Sequence, residues 1–355
     1  MRAIQMARPE PGAALYLENA SEPHPGPGEV RVRVANTGIC GTDRHIFHWD
    51  ASVAAMMQPP VIIGHEFCGH VDELGEGVNG WERGAYVSAE MHFVCGTCRA
   101  CRAGRQHVCE RTRIGGVHRN GCFAEWVVVP AGNLVRLDPK VVPPHVGAFL
   151  DALGNAVHTV QAVSGVAGRH VLVSGYGAIG AMAAAVVEFE GAASLTITEV
   201  APGHLERARR WAAGRDGRVP IRVVDPRAVG NDELRRATAG GVDVVLEMSG
   251  ASAAINGALD LLYPGGELAL LGIPPAADMT LEKFSDRVIF KGLTLRGVVG
   301  RRMFSTWDRM LDLLRRGLDV EHIVTHRLPL RGFHQGVALL DAGQAHKVVL
   351  DPQIS

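Results

Sequence analysis

Three features that would sort a protein quickly are missing from this chain. Net charge is the first: 36 basic residues stand against 37 acidic ones over 355 positions, a formal charge of -1. That excludes the broad basic field with which nucleic acids or anionic membranes are held. Long apolar runs are the second, the longest being residues 178–187, far short of a membrane span. The third is an apolar core of signal-peptide length at the start, where Met1-Arg2-Ala3-Ile4-Gln5-Met6-Ala7-Arg8-Pro9 stands instead, so the expected location is cytoplasmic. Internal repeats and low-complexity segments are lacking as well. A length of 355 residues at 47% hydrophobic, taken at ~150 residues per domain, predicts about two globular domains and a small-molecule partner.

Against this background the cysteines stand out. Four of the seven, Cys95, Cys98, Cys101 and Cys109, fall within fifteen residues in the spacing C-x2-C-x2-C-x7-C. Thiolates so close on one irregular loop converge to the tetrahedron that Zn²⁺ accepts from four sulfurs, and a closed four-thiolate site is structural rather than catalytic. Disulfides fit poorly with an odd total and no secretory signal. A ferredoxin-type run ends in x3-C-P, whereas Glu110 follows Cys109 here. The intervening Gly96, Thr97, Arg99, Arg102, Gly104 and Arg105 are polar or flexible, unlike a buried element. Cys68 and Cys122 have no partner in this scheme and read as ordinary buried thiols.

The texture of the chain changes near Leu150. Before it, Glu29-Val30-Arg31-Val32-Arg33-Val34 alternates strictly after a Pro- and Gly-rich turn, which predicts a half-buried strand, and short strands with glycine-rich loops continue to about Pro144. After it, apolar β runs at 171–173, 195–198, 221–224, 242–246 and 268–271 alternate with helical stretches at 179–189, 205–213, 232–239 and 253–262. That alternation predicts a parallel, doubly wound sheet of the α/β class. A last strand at 293–299 leads to an amphipathic helix at 304–316.

Within the second part, Gly175-Tyr176-Gly177-Ala178-Ile179-Gly180 follows a strand and opens a helix, the context in which G-x-G-x-x-G means a dinucleotide. The first glycine permits the tight turn, the second lets the pyrophosphate reach the backbone, and the third lets helix and strand pack closely. Glu199, at the end of the next strand, is placed to accept from a ribose 2′-hydroxyl and to repel a 2′-phosphate, so NAD is expected rather than NADP. A solvated strand-end carboxylate is the plainer alternative.

The first part offers a second set of metal ligands. Cys40 lies in Gly38-Ile39-Cys40-Gly41-Thr42-Asp43-Arg44-His45, and Gly64-His65-Glu66 follows the apolar residues 61–63. A thiolate, an imidazole and a carboxylate suit an open catalytic zinc with a position left for water or substrate. Such a zinc beside a nicotinamide predicts alcohol dehydrogenation, with two zincs per chain. Thr42 and His45 share a face if their segment is helical, giving a hydroxyl and an imidazole as a proton path to solvent; alternatively Thr42 caps a helix and His45 is a surface residue. Asp151 reads either as a carboxylate near the metal or as a helix N-cap. His48 and His92 stay unassigned.

The chain resembles the zinc-dependent medium-chain dehydrogenases over essentially its whole length. The motifs that carry the resemblance are Ile39-Cys40-Gly41-Thr42-Asp43 with His45 and Trp49-Asp50, Gly64-His65-Glu66-Phe67, the cysteine quartet, and Gly154-Asn155-Ala156-Val157-His158-Thr159. Later ones are Leu246-Glu247-Met248-Ser249-Gly250, Leu271-Gly272-Ile273-Pro274-Pro275, Val288-Ile289-Phe290-Lys291-Gly292 and Arg302-Met303-Phe304 with Thr306-Trp307. The later segments are most similar to the branch that oxidises the 3-hydroxyl of L-threonine to 2-amino-3-oxobutanoate; a polyol or butanediol branch is the runner-up, and a non-catalytic NAD-binding relative a distant third.

The resemblance implies a GroES-like, β-rich catalytic domain at 1–149 and 300–355, with a structural zinc lobe at about 92–113, around a Rossmann domain at 150–299. It implies a catalytic zinc on Cys40, His65 and Glu66, a relay through Thr42 and His45, and a role for Asp151 in proton transfer. It places NAD contacts on Ile179, Glu199, Leu271, Gly272, Ile273, Val298 and Val299, and it implies a homotetramer. His204 stands near the adenosine ribose where the family often has arginine, Ala152 replaces a common proline, and Val299 replaces a bulkier residue.

Overall fold

A computed structural model describes residues 1–238, 240–274 and 278–354. Ala239, the end of one expected helix, Pro275 of the Leu271-to-Pro275 motif, and Ser355 lie outside the described residues. The chain forms two compact units, Met1–Ala152 with Arg302–Arg315 and Glu321–Ser355, and Leu153–Arg301 with Arg316–Val320.

The second unit holds a six-stranded sheet in the order Ile221–Val224, Ser194–Thr198, His170–Ser174, Val242–Glu247, Leu262–Leu270, Thr294–Gly297. Every pairing is parallel. Parallel strands are covered on both faces, so residues of both faces are buried even where, as in Ser194–Thr198, Thr196 and Thr198 alternate with aliphatic residues. Val171, Leu172, Val173, Leu195 and Ile197 are accordingly buried. The earliest strand lies in the middle, and the order reverses between it and Val242–Glu247, so the loops after these two strands flank the switch point at which such sheets bind ligands. The fifth strand begins at Leu262, six residues earlier than its apolar run predicts: Leu262 pairs with Val242, and the register then shifts across residues 263–266 before pairing resumes at Glu267.

The first unit is built on a seven-stranded sheet. Its path runs Leu134–Arg136, Tyr86–Ala89, Phe67–Leu74, Glu29–Gly38, Lys347–Asp351, Val324–Pro329, and Trp126–Pro130 also pairs with Glu29–Gly38. The alternation in the central strand does what it predicts: Val30, Val32 and Val34 are fully buried while Arg33 faces out. Burial of each such side chain stabilises the fold by roughly 1.5–3 kcal/mol. These valines pack in one core with Phe67, Phe123, Phe333 and Val348, so residues from both ends of the sequence share it. Cys68 and Cys122 are fully buried, as expected of thiols without a partner role. The helix Ser305–Arg315 turns Trp307, Met310, Leu311 and Leu314 inward, a spacing that puts them on one face. A two-stranded ribbon, His92–Phe93 with Arg113–Ile114, closes the base of the cysteine loop.

Candidate active site and metal centres

On the cysteine loop, Cys98, Cys101 and Cys109 are buried and Cys95 is partly so. Cys109 Sγ lies 3.5 Å from Cys95 Sγ, Cys98 Sγ 3.9 Å from Cys109 Sγ, and Cys95 Sγ 4.0 Å from Cys101 Sγ. No disulfide joins them. Backbone N–H groups point at the sulfurs: Cys98 N donates to Cys95 Sγ at 3.3 Å, Arg111 N to Cys109 Sγ at 3.4 Å and, from the one-turn helix Arg99–Arg102, Cys101 N to Cys98 Sγ at 3.5 Å. The Arg111 guanidinium adds a donor to Cys95 Sγ at 3.4 Å, braced on Thr97 Oγ1 at 2.7 Å. The N–H of Thr97 chiefly holds the Cys95 thiol down at about 5, while burial pushes Cys101 up to about 12. Sulfurs gathered this closely, with donors turned on them, fit a closed tetrahedral zinc.

Cys40, His65 and Glu66 bring their ligand atoms within 4.8 Å of one another. Cys40 sits at the cap of helix Gly41–His48, where its N–H donates to Asp43 Oδ2 at 2.8 Å. Thr42 is therefore inside the first turn, and the capping role considered for it falls to Cys40. His65 Nδ1 stands 3.7 Å from Asp43 Oδ1, both side chains buried. Burial opposes a charged imidazole there, but Asp43, Cys40 and Asp151 outweigh it and hold His65 well above its ordinary value. Burial also raises Asp43, to about 6. Asp43 Oδ1, His65 Nδ1 and Glu66 Oε1 are buried without a hydrogen bond among the described residues. An anionic pocket with orphaned ligand atoms is what a divalent cation satisfies, so these residues fit a zinc of the open kind.

One participant left no motif. Lys347, fully buried at the start of the last strand, forms an ion pair with Glu66 Oε2 and donates to Ile39 O at 2.9 Å. Burial opposes its charge, yet Glu66, Cys40 and Asp43 raise its pKa. A lysine between apolar strand residues, His346-Lys347-Val348-Val349-Leu350, was the available signal, since buried lysine is rare without a partner.

Thr42 Oγ1 lies 4.0 Å from Cys40 Sγ. His45, one turn further along the same helix, is exposed, and its Nδ1 lies 2.5 Å from Asp50 Oδ2. The helix thus carries a hydroxyl beside the thiolate and an imidazole at the surface. His48 instead pairs with Asp341 at 2.8 Å on the surface. Asp151 is buried within the first turn of helix Leu150–Gln161, so it is not that helix's N-cap. It belongs to a third group, Glu90, His92 and Asp151, whose ligand-type atoms also lie within 4.8 Å of one another. His92, left unassigned from sequence, is brought there by Glu90.

In the other unit, Gly175 has φ +92, and a Cβ on Gly180 would meet Gly175 O at 2.0 Å, whereas a Cβ on Gly177 would meet nothing within 4 Å. Tight turn, open approach and close packing thus fall on the three glycines in the expected order. Glu199 is buried; its Oε2 accepts from Tyr176 N at 2.7 Å and its Oε1 from Val200 N and Ala201 N at 2.6 and 2.8 Å. The carboxylate is therefore no solvated strand end but ties the second strand to the glycine turn. Ile179 lies in the first turn of helix Ala178–Phe189 and His204 in that of Pro202–Ala213, 3.3 Å from Arg207 Nη2. Leu271 N and Gly272 N donate to Glu247 O at 3.0 and 3.1 Å, and Val298 N to Leu270 O at 2.8 Å. Ile273 and Val299, 87% and 56% exposed, are apolar side chains left uncovered beside these loops. Glu247, missed as an organiser, is fully buried and accepts from Ser249 N and Gly250 N.

One closed all-sulfur centre, one open mixed centre and a dinucleotide sheet on the same chain leave a single class of protein, the zinc-binding dehydrogenases. The chain belongs to the zinc-dependent medium-chain alcohol dehydrogenase family. Residues 26–139 match the family model described as alcohol dehydrogenase GroES-like domain, and residues 178–316 the one described as zinc-binding dehydrogenase. The L-threonine 3-dehydrogenase of Rhizobium rhizogenes is 40% identical, covering 99% of this chain and 98% of its own. That of Xanthomonas oryzae pv. oryzae is 41% identical, covering 97% and 98%. Among solved structures, a Sinorhizobium meliloti 1021 protein assigned as a zinc-binding dehydrogenase and bound to NADP superposes with a TM-score of 0.87 at 30% identity, with 99% of each chain covered. Among the described residues, no helix is long and apolar enough to cross a membrane.

Proposed function

We propose that this enzyme oxidises the 3-hydroxyl of L-threonine to 2-amino-3-oxobutanoate with NAD as acceptor. The observation that carries this reading is the 40–41% identity to L-threonine 3-dehydrogenases along nearly the whole chain. Cys40, His65 and Glu66 would hold a catalytic zinc, and the four cysteines a structural one. Bound zinc supplies Lewis acidity that makes the substrate hydroxyl acidic, and bound nicotinamide supplies the hydride acceptor.

The chain's own residues do the rest. Thr42 takes the hydroxyl proton and His45, steadied by Asp50, passes it to water. Asp151 supports that transfer through its charge. Glu199 accepts from the adenosine ribose and opposes a 2′-phosphate, with Ile179, His204, Leu271, Gly272, Ile273, Val298 and Val299 lining the cofactor and Gly175, Gly177 and Gly180 leaving room for its pyrophosphate. The catalytic domain comprises residues 1–149 and 300–355 and the dinucleotide domain 150–299. The working form is a cytoplasmic homotetramer.

NAD reduction measured side by side with L-threonine, sorbitol and 2,3-butanediol tests the reading. The expected result is the highest kcat/KM on L-threonine. A higher value on either polyol would replace it with a polyol dehydrogenase.

A further inference from the structure

The helix Gly41–His48 ends on an unusual turn. Trp49, its C-cap, lies in the left-handed region at φ 50 and ψ 51, and Lys283 is the only other non-glycine residue with positive φ among the described residues. A β-carbon makes that region unfavourable, so such a residue persists only where its surroundings hold it. The Trp49 side chain packs against the core of its unit, and its N–H donates to Ile46 O at 3.1 Å. The chain is thereby folded back on the helix. Asp50 N donates to His45 O at 3.3 Å, and Asp50 Oδ2 lies 2.5 Å from His45 Nδ1.

Asp50 Oδ1 accepts from Val53 N at 3.3 Å and so caps the next helix, Ala51–Ala54. Arg44 and His48, the other basic side chains of Gly41–His48, both pair with Asp341, at 2.7 and 2.8 Å. Among the described residues Asp50 is therefore the carboxylate that meets His45. A carboxylate can only accept, so His45 Nδ1 carries the proton of that bond and Nε2 keeps its lone pair. The side chain is 63% exposed, so water reaches the ring.

We infer that Asp50, brought round by the left-handed Trp49, is a positioning residue that sets the tautomer of His45, so that Nε2 is the nitrogen that receives the substrate's proton. The inference rests on the relay through Thr42 and His45 and holds for any secondary alcohol the enzyme oxidises. Nε2 takes the proton on its lone pair, and the ring then carries one positive charge against the Asp50 carboxylate. Nε2 gives that proton up to water, and the Nδ1 proton stays in place throughout. Without Asp50 the ring is free to turn and to exchange tautomers, and the accepting nitrogen is no longer specified.

The test is a cycle of zinc-loaded wild type, Asp50→Asn, His45→Gln and the double variant, assayed on whichever of L-threonine, sorbitol and 2,3-butanediol the wild type oxidises best. Asparagine keeps the helix cap, but its amide N–H₂ turned on His45 Nδ1 moves the ring proton to Nε2. A wrong tautomer costs about 10⁴-fold in kcat at a buried site. At an exposed ring water repairs part of that, so the expected loss is about 10-fold in kcat, with KM for NAD changed less than about 2-fold. In the His45→Gln background the same substitution should cost less than about 2-fold, because Asp50 acts through the ring. Nitrogen-15 NMR, with the His45 signal identified by its loss in His45→Gln, should show the neutral ring bare at Nε2 in wild type and at Nδ1 in Asp50→Asn. Asp50→Ser also caps but does not reach the ring; it carries the cycle if Asp50→Asn does not fold, with a kcat loss of about 3-fold or more. Equal losses in both backgrounds, or one tautomer in wild type and Asp50→Asn alike, overturn the inference and leave Asp50 a cap. A His45→Gln variant as active as wild type overturns the relay, and the inference with it.

Discussion

The two cysteine-bearing centres solve the same problem, holding a divalent metal, in opposite ways. The four-sulfur loop takes all its ligands from residues 95–109, and the groups that turn on its sulfurs, the N–H groups of Cys98 and Arg111 and the Arg111 guanidinium, come from the same loop. The mixed centre takes Cys40 from a helix cap, His65 and Glu66 from the approach to a strand, and a counter-charge, Lys347, from the far end of the chain. The first is local and nearly self-sufficient; the second exists only when the whole unit is folded. The difference matches their work, since a brace must form early and stay shut, while a reactive site must keep an open position and sustain buried charge.

That contrast can be broken by removing one ligand from each side. Cys40→Ser should cut turnover by at least about 10³-fold while the protein stays folded and keeps the other zinc, measured by elemental analysis and thermal melting. Cys101→Ser should do the reverse, losing about one zinc per chain and more than about 4 kcal/mol of stability, because binding energy at a structural site is folding energy. Full stability with both zincs retained would end the brace interpretation. The smallest effect sharpens the contrast rather than breaking it. Lys347→Met leaves Glu66 buried without its cation and should cost about 3 kcal/mol in the metal-free protein, recovered largely in Lys347→Met/Glu66→Gln. No recovery in the double variant would mean that Lys347 acts through packing alone.

The same contrast explains what could be read in advance. The sulfur loop was legible because its ligands repeat at short spacing, and the parallel sheet because apolar strands alternate with helical stretches. The glycine turn was legible because each glycine answers a backbone constraint. Lys347, Glu90 and Trp307 gave no such signal: Glu90 and Trp307 meet across 217 residues, and neither periodicity nor a motif connects them. Asp151 was ambiguous for a related reason, since a carboxylate at a helix start suits a cap, and only its place inside the first turn decides against it. Thr42 suggested itself as a cap because hydroxyls favour that position, whereas the cap is Cys40, whose backbone N–H is held by the Asp43 carboxylate.

The pairing of Lys347–Asp351 with Glu29–Gly38 sets a clock on synthesis. Glu66 leaves the ribosome about 280 residues ahead of Lys347, and at ~5–20 residues per second that interval is on the order of tens of seconds. Until Lys347 emerges the carboxylate lacks that cation and the central sheet lacks Lys347–Asp351, whereas all six strands of the other unit have emerged by residue 297. The sheet around Glu66 thus closes only after the whole parallel sheet of the other unit has been synthesised.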